Sequence, residues 1–276
     1  MKRLSLIAMI GAGCLLLQNA QATLVFEDGF NYPAGNLNAA STNAFTGNPW
    51  TSGSSHITVV NNNLTYSGEQ DQGGNAMSNV WGISAGSIIT TYANQTSGTL
   101  YYSFLVDVTA VGTINSYFTS LNPGVVTPGG SGDALGAYIK SDGSGWEIGM
   151  RTAGASTVED TVAGTAGLLS LNTTYLVVMS YTFATGTAQM WVDPSALGGS
   201  APTADVSLTG GTSTAIDDIG FKAQSNGGAT TLLYDNAIIG TTWADVTPLS
   251  APEPSTCALA GLGLLGLVTR FRRTRQ

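Results

Sequence analysis

The 276-residue chain is short of charge. Asp, Glu, Lys and Arg make up 9% of it, against about 25% in an ordinary soluble domain, so a cytosolic helical enzyme rich in Glu and Lys is excluded. There is one histidine and there are two cysteines. One imidazole excludes a histidine-rich metal centre, and two thiols exclude both a four-thiolate zinc site and a disulfide framework. Positive charge is scarcest in the middle: residues 23–250 hold 16 acids against only Lys140, Arg151 and Lys222, a net −13. Such a surface repels phosphate and excludes nucleic acid as a partner. Long amphipathic helical patterns and internal repeats are also missing.

What is present is period-2 alternation, broken by turns of Gly, Asn, Ser and Thr. In 99–108 the even positions Leu100, Tyr102, Phe104, Val106 and Val108 form one apolar face. In 174–183 the odd positions from Tyr175 to Phe183 do the same, and Ala184-Thr185-Gly186 leads into 187–192 as a hairpin. Segments 135–140 and 146–151 flank Ser141-Asp142-Gly143-Ser144-Gly145, a second hairpin. Segments 219–223 and 231–239 form a late pair, and shorter strands are expected at 24–27, 57–60, 64–66 and 88–92. About a dozen strands with tight turns predict an all-β fold of two packed antiparallel sheets within one domain, 23–250.

Both ends of the chain differ from this body. Lys2 and Arg3 precede an apolar run over 4–17, and Ala20-Gln21-Ala22 places small residues, Ala20 and Ala22, where a signal peptidase reads. The expectation is a secretory signal over 1–22. At the other end Pro252-Glu253-Pro254 holds the backbone extended, because proline fixes φ and bars a helix. An apolar Leu/Gly stretch over 256–269 follows, and then Arg270, Arg272, Arg273 and Arg275. The apolar part is short for a permanent span, which needs about 20 residues. The arginines form a cytoplasmic stop-transfer plug.

This three-part C-terminus resembles the PEP-CTERM sorting tail of diderm bacteria. The resemblance covers 251–276 and implies an exported precursor held in the inner membrane. An exosortase would process the tail, and the product would reach the cell surface or the extracellular matrix, in a setting of exopolysaccharide. The alternative is a plain tail anchor.

The body resembles concanavalin A-like and laminin-G-like jelly rolls. The resemblance lies in the hairpin that ends Met190-Trp191-Val192-Asp193-Pro194, the opening Phe26-Glu27-Asp28-Gly29-Phe30-Asn31-Tyr32-Pro33 and the closing Tyr234-Asp235-Asn236-Ala237-Ile238-Ile239-Gly240. It implies a two-sheet antiparallel jelly-roll sandwich. Laminin-G-like domains often bind calcium, and Asp133, Asp142, Asp217 and Asp218 are the acids placed in turns. None lies in a contiguous calcium-loop motif, so no ligand set follows.

No catalytic residue is expected. Glucanases of the jelly-roll class carry Glu-x-Asp-x-x-Glu on one strand, and here the nearest strand acid, Glu147, is followed by Gly149 rather than a second acid. Gly82-Ile83-Ser84-Ala85-Gly86 matches the nucleophile-elbow pattern, but a strand-like segment follows where that elbow needs a helix. The expected function is a non-enzymatic surface or matrix protein that binds exopolysaccharide. The alternative is a polysaccharide hydrolase whose site has no recognised motif. Sugar binding needs aromatic faces in solvent. Trp191 and Tyr101, both out of phase with their strands' apolar faces, are the candidate platform, whereas Trp146 is in phase with Ile148 and Met150 and is expected in the core.

Overall fold

A computed structural model of the protein describes residues 24–250, apart from 39–40, 53–55, 83–84, 113–115, 125–131, 142–144, 154–159, 162–168 and 226–229. The expected signal with Ala20 and Ala22, the tail with Pro252, Glu253, Pro254 and its arginines, and the single residues Ser84 and Asp142 lie outside the described residues.

The strands are β1 (Leu24–Asp28), β2 (Gly35–Asn36), β3 (Thr51–Ser52), β4 (Ile57–Val60), β5 (Ala76–Val80), β6 (Gly86–Gln95), β7 (Thr99–Ala110) and β8 (Ser116–Asn122). They continue with β9 (Leu135–Ser141), β10 (Trp146–Arg151), β11 (Asp160–Thr161), β12 (Thr174–Thr182), β13 (Thr187–Val192), β14 (Val206–Leu208), β15 (Ile216–Ala223) and β16 (Thr231–Gly240). One helical turn, α1 (Trp243–Val246), closes the body. Among the described residues these strands form two antiparallel sheets. One runs β14-β13-β12-β7-β16-β5-β4-β2 with β1 also on β16, and the other runs β11-β10-β9-β8-β15-β6-β3. The fold is an all-β jelly-roll sandwich.

Alternation explains the inner core. Leu100, Tyr102, Phe104, Val106 and Val108 of β7 all face the second sheet and are buried, each contributing about 1.5–3 kcal/mol by leaving water. Tyr234 lies at the centre, stacked on Phe104 at 4.9 Å and edge-on to Phe221 at 4.6 Å. Its hydroxyl pairs with that of Tyr102, which in turn bonds Thr119 Oγ1 at 2.7 Å, so the buried phenols are satisfied. Trp146 is fully buried. Gly86 opens β6, so the Gly-x-Ser-x-Gly segment leads into a strand rather than a helix.

The outer face of the larger sheet is also covered, which corrects two expectations. Leu64, Leu105, Leu176, Val178, Trp191, Ile238, Trp243 and Val246 make a second apolar layer under α1 and the loops on either side. Trp191 is therefore not a solvent platform. It is 2% exposed, its indole donates to Pro202 O at 3.0 Å, and it packs on Trp243 at 5.0 Å and Tyr101 at 6.5 Å. Tyr101 is half-buried beside it, and burial raises its phenol pKa. Alternation sets the phase of a strand but does not report what crosses its outer face. The second correction concerns 64–66, which is loop rather than strand: Leu64 is buried in this layer and its N–H donates to the Asp235 carboxylate at 2.9 Å.

β16 sets the geometry of this region. One edge pairs with β7 along nearly its whole length, while the other pairs first with β5 over Thr231–Tyr234 and then with β1 over 237–240. The ladder to β7 shifts between Asp235 and Ile238, where the partner changes. Asn236 takes a positive φ of 49° to make the bulge.

Candidate functional site: a surface groove beside the first strand

Where β1 ends, its last carboxylate organises a turn. Asp28 is 6% exposed and accepts four hydrogen bonds: from Phe30 N at 2.7 Å, Tyr32 OH at 2.5 Å, Asn43 Nδ2 at 2.9 Å and Trp50 Nε1 at 3.1 Å. Burial raises the Asp28 pKa, and these donors oppose the rise by favouring the anion. The same burial, with the Asp28 charge, pushes the Tyr32 phenol well above its usual range.

Asn43 links this anchor to the surface. Its amide nitrogen also donates to Glu27 O at 2.8 Å, and its oxygen accepts from Phe45 N at 3.1 Å and Thr46 N at 2.8 Å. Gly47 closes the turn at φ 74°, with its N–H on Asn43 O at 2.9 Å. The turn thus holds Phe45 outward, 44% exposed.

Phe45 stands on the wall of a depression of about 250 Å³ that also involves Glu27, Asn31, Thr42 and Gln72. A second depression of about 250 Å³ shares Glu27 and Gln72 and continues past Gln70 to Asp245 and Pro248. The two depressions adjoin at Glu27 and Gln72 as a groove-like surface, with an aromatic face at one end and amides, a hydroxyl and two carboxylates along it. Asp245 is committed to the cap of α1, accepting from Thr242 N at 2.9 Å while the Thr242 hydroxyl accepts from Asp245 N. Phe45 escapes period-2 reading because Asn43, Thr46, Gly47 and Asn48 around it are turn formers. The available signal is a lone aromatic inside such a run, with no strand face to fill.

Of the acids expected in turns, Asp217 and Asp218 lie on β15 instead, and Asp133 precedes β9. Asp133 and Asp218 are fully buried; Asp218 accepts from Asn122 Nδ2 at 3.0 Å and Asp217 accepts from Gly124 N at 2.5 Å. Among the described residues no three His, Cys, Asp or Glu side chains gather as a metal cluster. Glu147 pairs with Lys140 at 3.7 Å.

Residues 250–273 match the model of the PEP-CTERM protein-sorting motif, so the chain carries that motif at its C-terminus. No curated protein matches the chain in sequence. Solved structures resemble its fold. Domain 4 of an extracellular arabinanase from Geobacillus stearothermophilus, solved with arabinotriose, is 10% identical at a TM-score of 0.49, covering 83% of this chain and 99% of that one. A botulinum neurotoxin type C structure, described through its interaction with two ganglioside molecules, is 8% identical at 0.47 over 81% of this chain and 49% of that one. A Trypanosoma rangeli sialidase is 15% identical at 0.39, over 69% and 28%. The chain spans about half or less of the length of these toxin and sialidase structures.

Proposed function

We propose that the protein is an exported, non-enzymatic surface or matrix component. A signal peptidase removes residues 1–22, an exosortase processes the tail, and the mature body binds exopolysaccharide in the groove beside β1. The observation that carries the binding reading is Phe45, an aromatic ring held in solvent by a hydrogen-bonded turn at the mouth of a groove lined with polar side chains. Sugar C–H faces stack on such a ring while Asn31, Thr42, Gln72 and Glu27 meet hydroxyls.

The hydrolase reading has less support. Its acid would need a raised pKa within reach of a polymer. The two carboxyls that burial pushes up to about 8, those of Glu69 and Asp235, are 5% and 0% exposed, and the exposed Asp193, which partial burial also raises, is engaged by Leu176 N at 3.1 Å.

The test is retention of the protein on the producing cell's own exopolysaccharide. Phe45→Ala is expected to lower retention at least tenfold while stability changes by less than about 0.5 kcal/mol, as for an exposed site. Unchanged retention places the binding face elsewhere.

A further inference from the structure

The last residues of the body are stitched into it from two sides. On one side Gln70 N donates to Pro248 O at 2.8 Å, Ser250 N donates to Gly68 O at 3.1 Å, and Glu69 forms an antiparallel bridge with Leu249. On the other, Gly198 N donates to Thr247 O at 3.0 Å and to the Thr247 hydroxyl at 2.9 Å. A Cβ on Gly198 would fall 3.2 Å from the Leu249 side chain, so Leu249 lies over that glycine. Thr247 is fully buried, and its hydroxyl donates to Trp243 O at 2.9 Å. Residues 247–250 are thus an edge segment fixed on the sandwich, with their backbone groups already paired.

This seam borders the groove. Pro248 and Gln70 both line the second depression, and so does Leu24, the first described residue of the body. The sorting motif matches from residue 250, so it leaves the body at the end of the groove away from Phe45. Five residues, 251–255, separate Ser250 from the apolar stretch that opens at Thr256. Fully extended they reach at most about 18 Å. The lipid headgroup layer takes up about 5–7 Å of that reach. Each residue freed from the seam would add about 3.4 Å, so the bonds at 247–250 hold the body down.

We propose, resting on the glycan groove and the sorting route, that polymeric glycan is shut out of the groove while the precursor sits in the membrane, and that removal of the tail opens it. A long chain laid along both depressions has to leave past Pro248, where the membrane surface stands across its path. A short fragment needs only the Phe45 end and still enters. The protein is thereby kept from engaging polymer until it has been delivered.

The full-length precursor in a lipid nanodisc is compared with the processed protein collected from the cell surface. A third sample is the precursor with a Gly/Ser insert of about 20 residues between Ser250 and Ala251, which adds about 25 Å of mean reach. Each is titrated with the producing cell's purified exopolysaccharide and with short fragments cut from it. The native precursor is expected to bind the polymer at least about tenfold more weakly than the processed protein, and the insert to restore binding to within about twofold. Short fragments are expected to bind all three alike. Equal binding of polymer by the native and insert-bearing precursors overturns the inference and leaves the groove reading standing. Failure of the processed protein to bind, or binding that Phe45→Ala does not lower, overturns the groove reading and the inference with it. A surface protein that keeps its tail overturns the inference through the sorting route.

Discussion

Glu69 and Asp235 also set a direction for stability against pH. Burial is the main cause that pushes both carboxyls up to about 8, with Asp71 adding to each. Their folded values lie above their unfolded ones, so the folded chain keeps protons that the unfolded chain releases from about pH 4 upward. That stabilisation is complete below about pH 4 and is lost as pH climbs through 8. The thermal midpoint is expected to fall between pH 5 and 8.5, and the fall to flatten in Glu69→Gln; a midpoint that rises over this window contradicts the direction. Trp191 supplies a second prediction. With its ring inside the outer layer, Trp191→Ala is expected to cost about 3–5 kcal/mol in urea unfolding. A loss under about 1 kcal/mol would mean that the ring is not packed there. Periodicity gave the phase of Trp191 correctly and its exposure wrongly, because the covering groups, α1 and Pro202, come from elsewhere in the chain. The meeting of Asp235 with Leu64, 171 residues apart, has no local signal at all.

Strands differ in how openly they announce themselves. The β12–β13 hairpin pairs from Val177 with Val192 to Thr182 with Thr187 around a four-residue turn, 183–186, that ends in Gly186, and the apolar row from Tyr175 to Phe183 with that turn is enough to find it. β5 is invisible by the same rule. Ala76-Met77-Ser78-Asn79-Val80 is buried at its first four positions, between β16 and β4, so no polar face marks it. β10 shows how one missing side chain supports a sheet. Gly149 pairs with Tyr138 of β9, and a Cβ there would fall 2.1 Å from the Tyr138 ring. The ring fills the space over the glycine. Gly149→Ala is expected to cost about 1–3 kcal/mol by displacing Tyr138, seen as a lower urea midpoint with unchanged slope; a shift below 0.5 kcal/mol would show that Tyr138 turns aside freely.

For the molecule as a whole, the tail makes the most direct prediction. Replacing Pro252, Glu253 and Pro254 by Ala is expected to leave full-length precursor in the inner membrane, while the native chain loses the residues beyond about Ser255. Mass spectrometry of the mature C-terminal peptide reads this, and a peptide that still contains Arg275 and Gln276 makes the tail a simple anchor. The placement of β16 bears on the timing of that delivery. β1 finds its ladder on β16, with Leu24 opposite Gly240, so the first strand of the body waits for the last. A chain that crosses a membrane N-terminus first cannot close its larger sheet until Gly240 has emerged, and long-range pairing of this kind is slow. The sorting motif begins at residue 250, only ten residues further on. On the proposed route, completion of the sandwich and arrival of the sorting motif therefore coincide. On the proposed sorting route, the tail would act as a timer as well as an address, giving the body a tethered interval in which to fold before release.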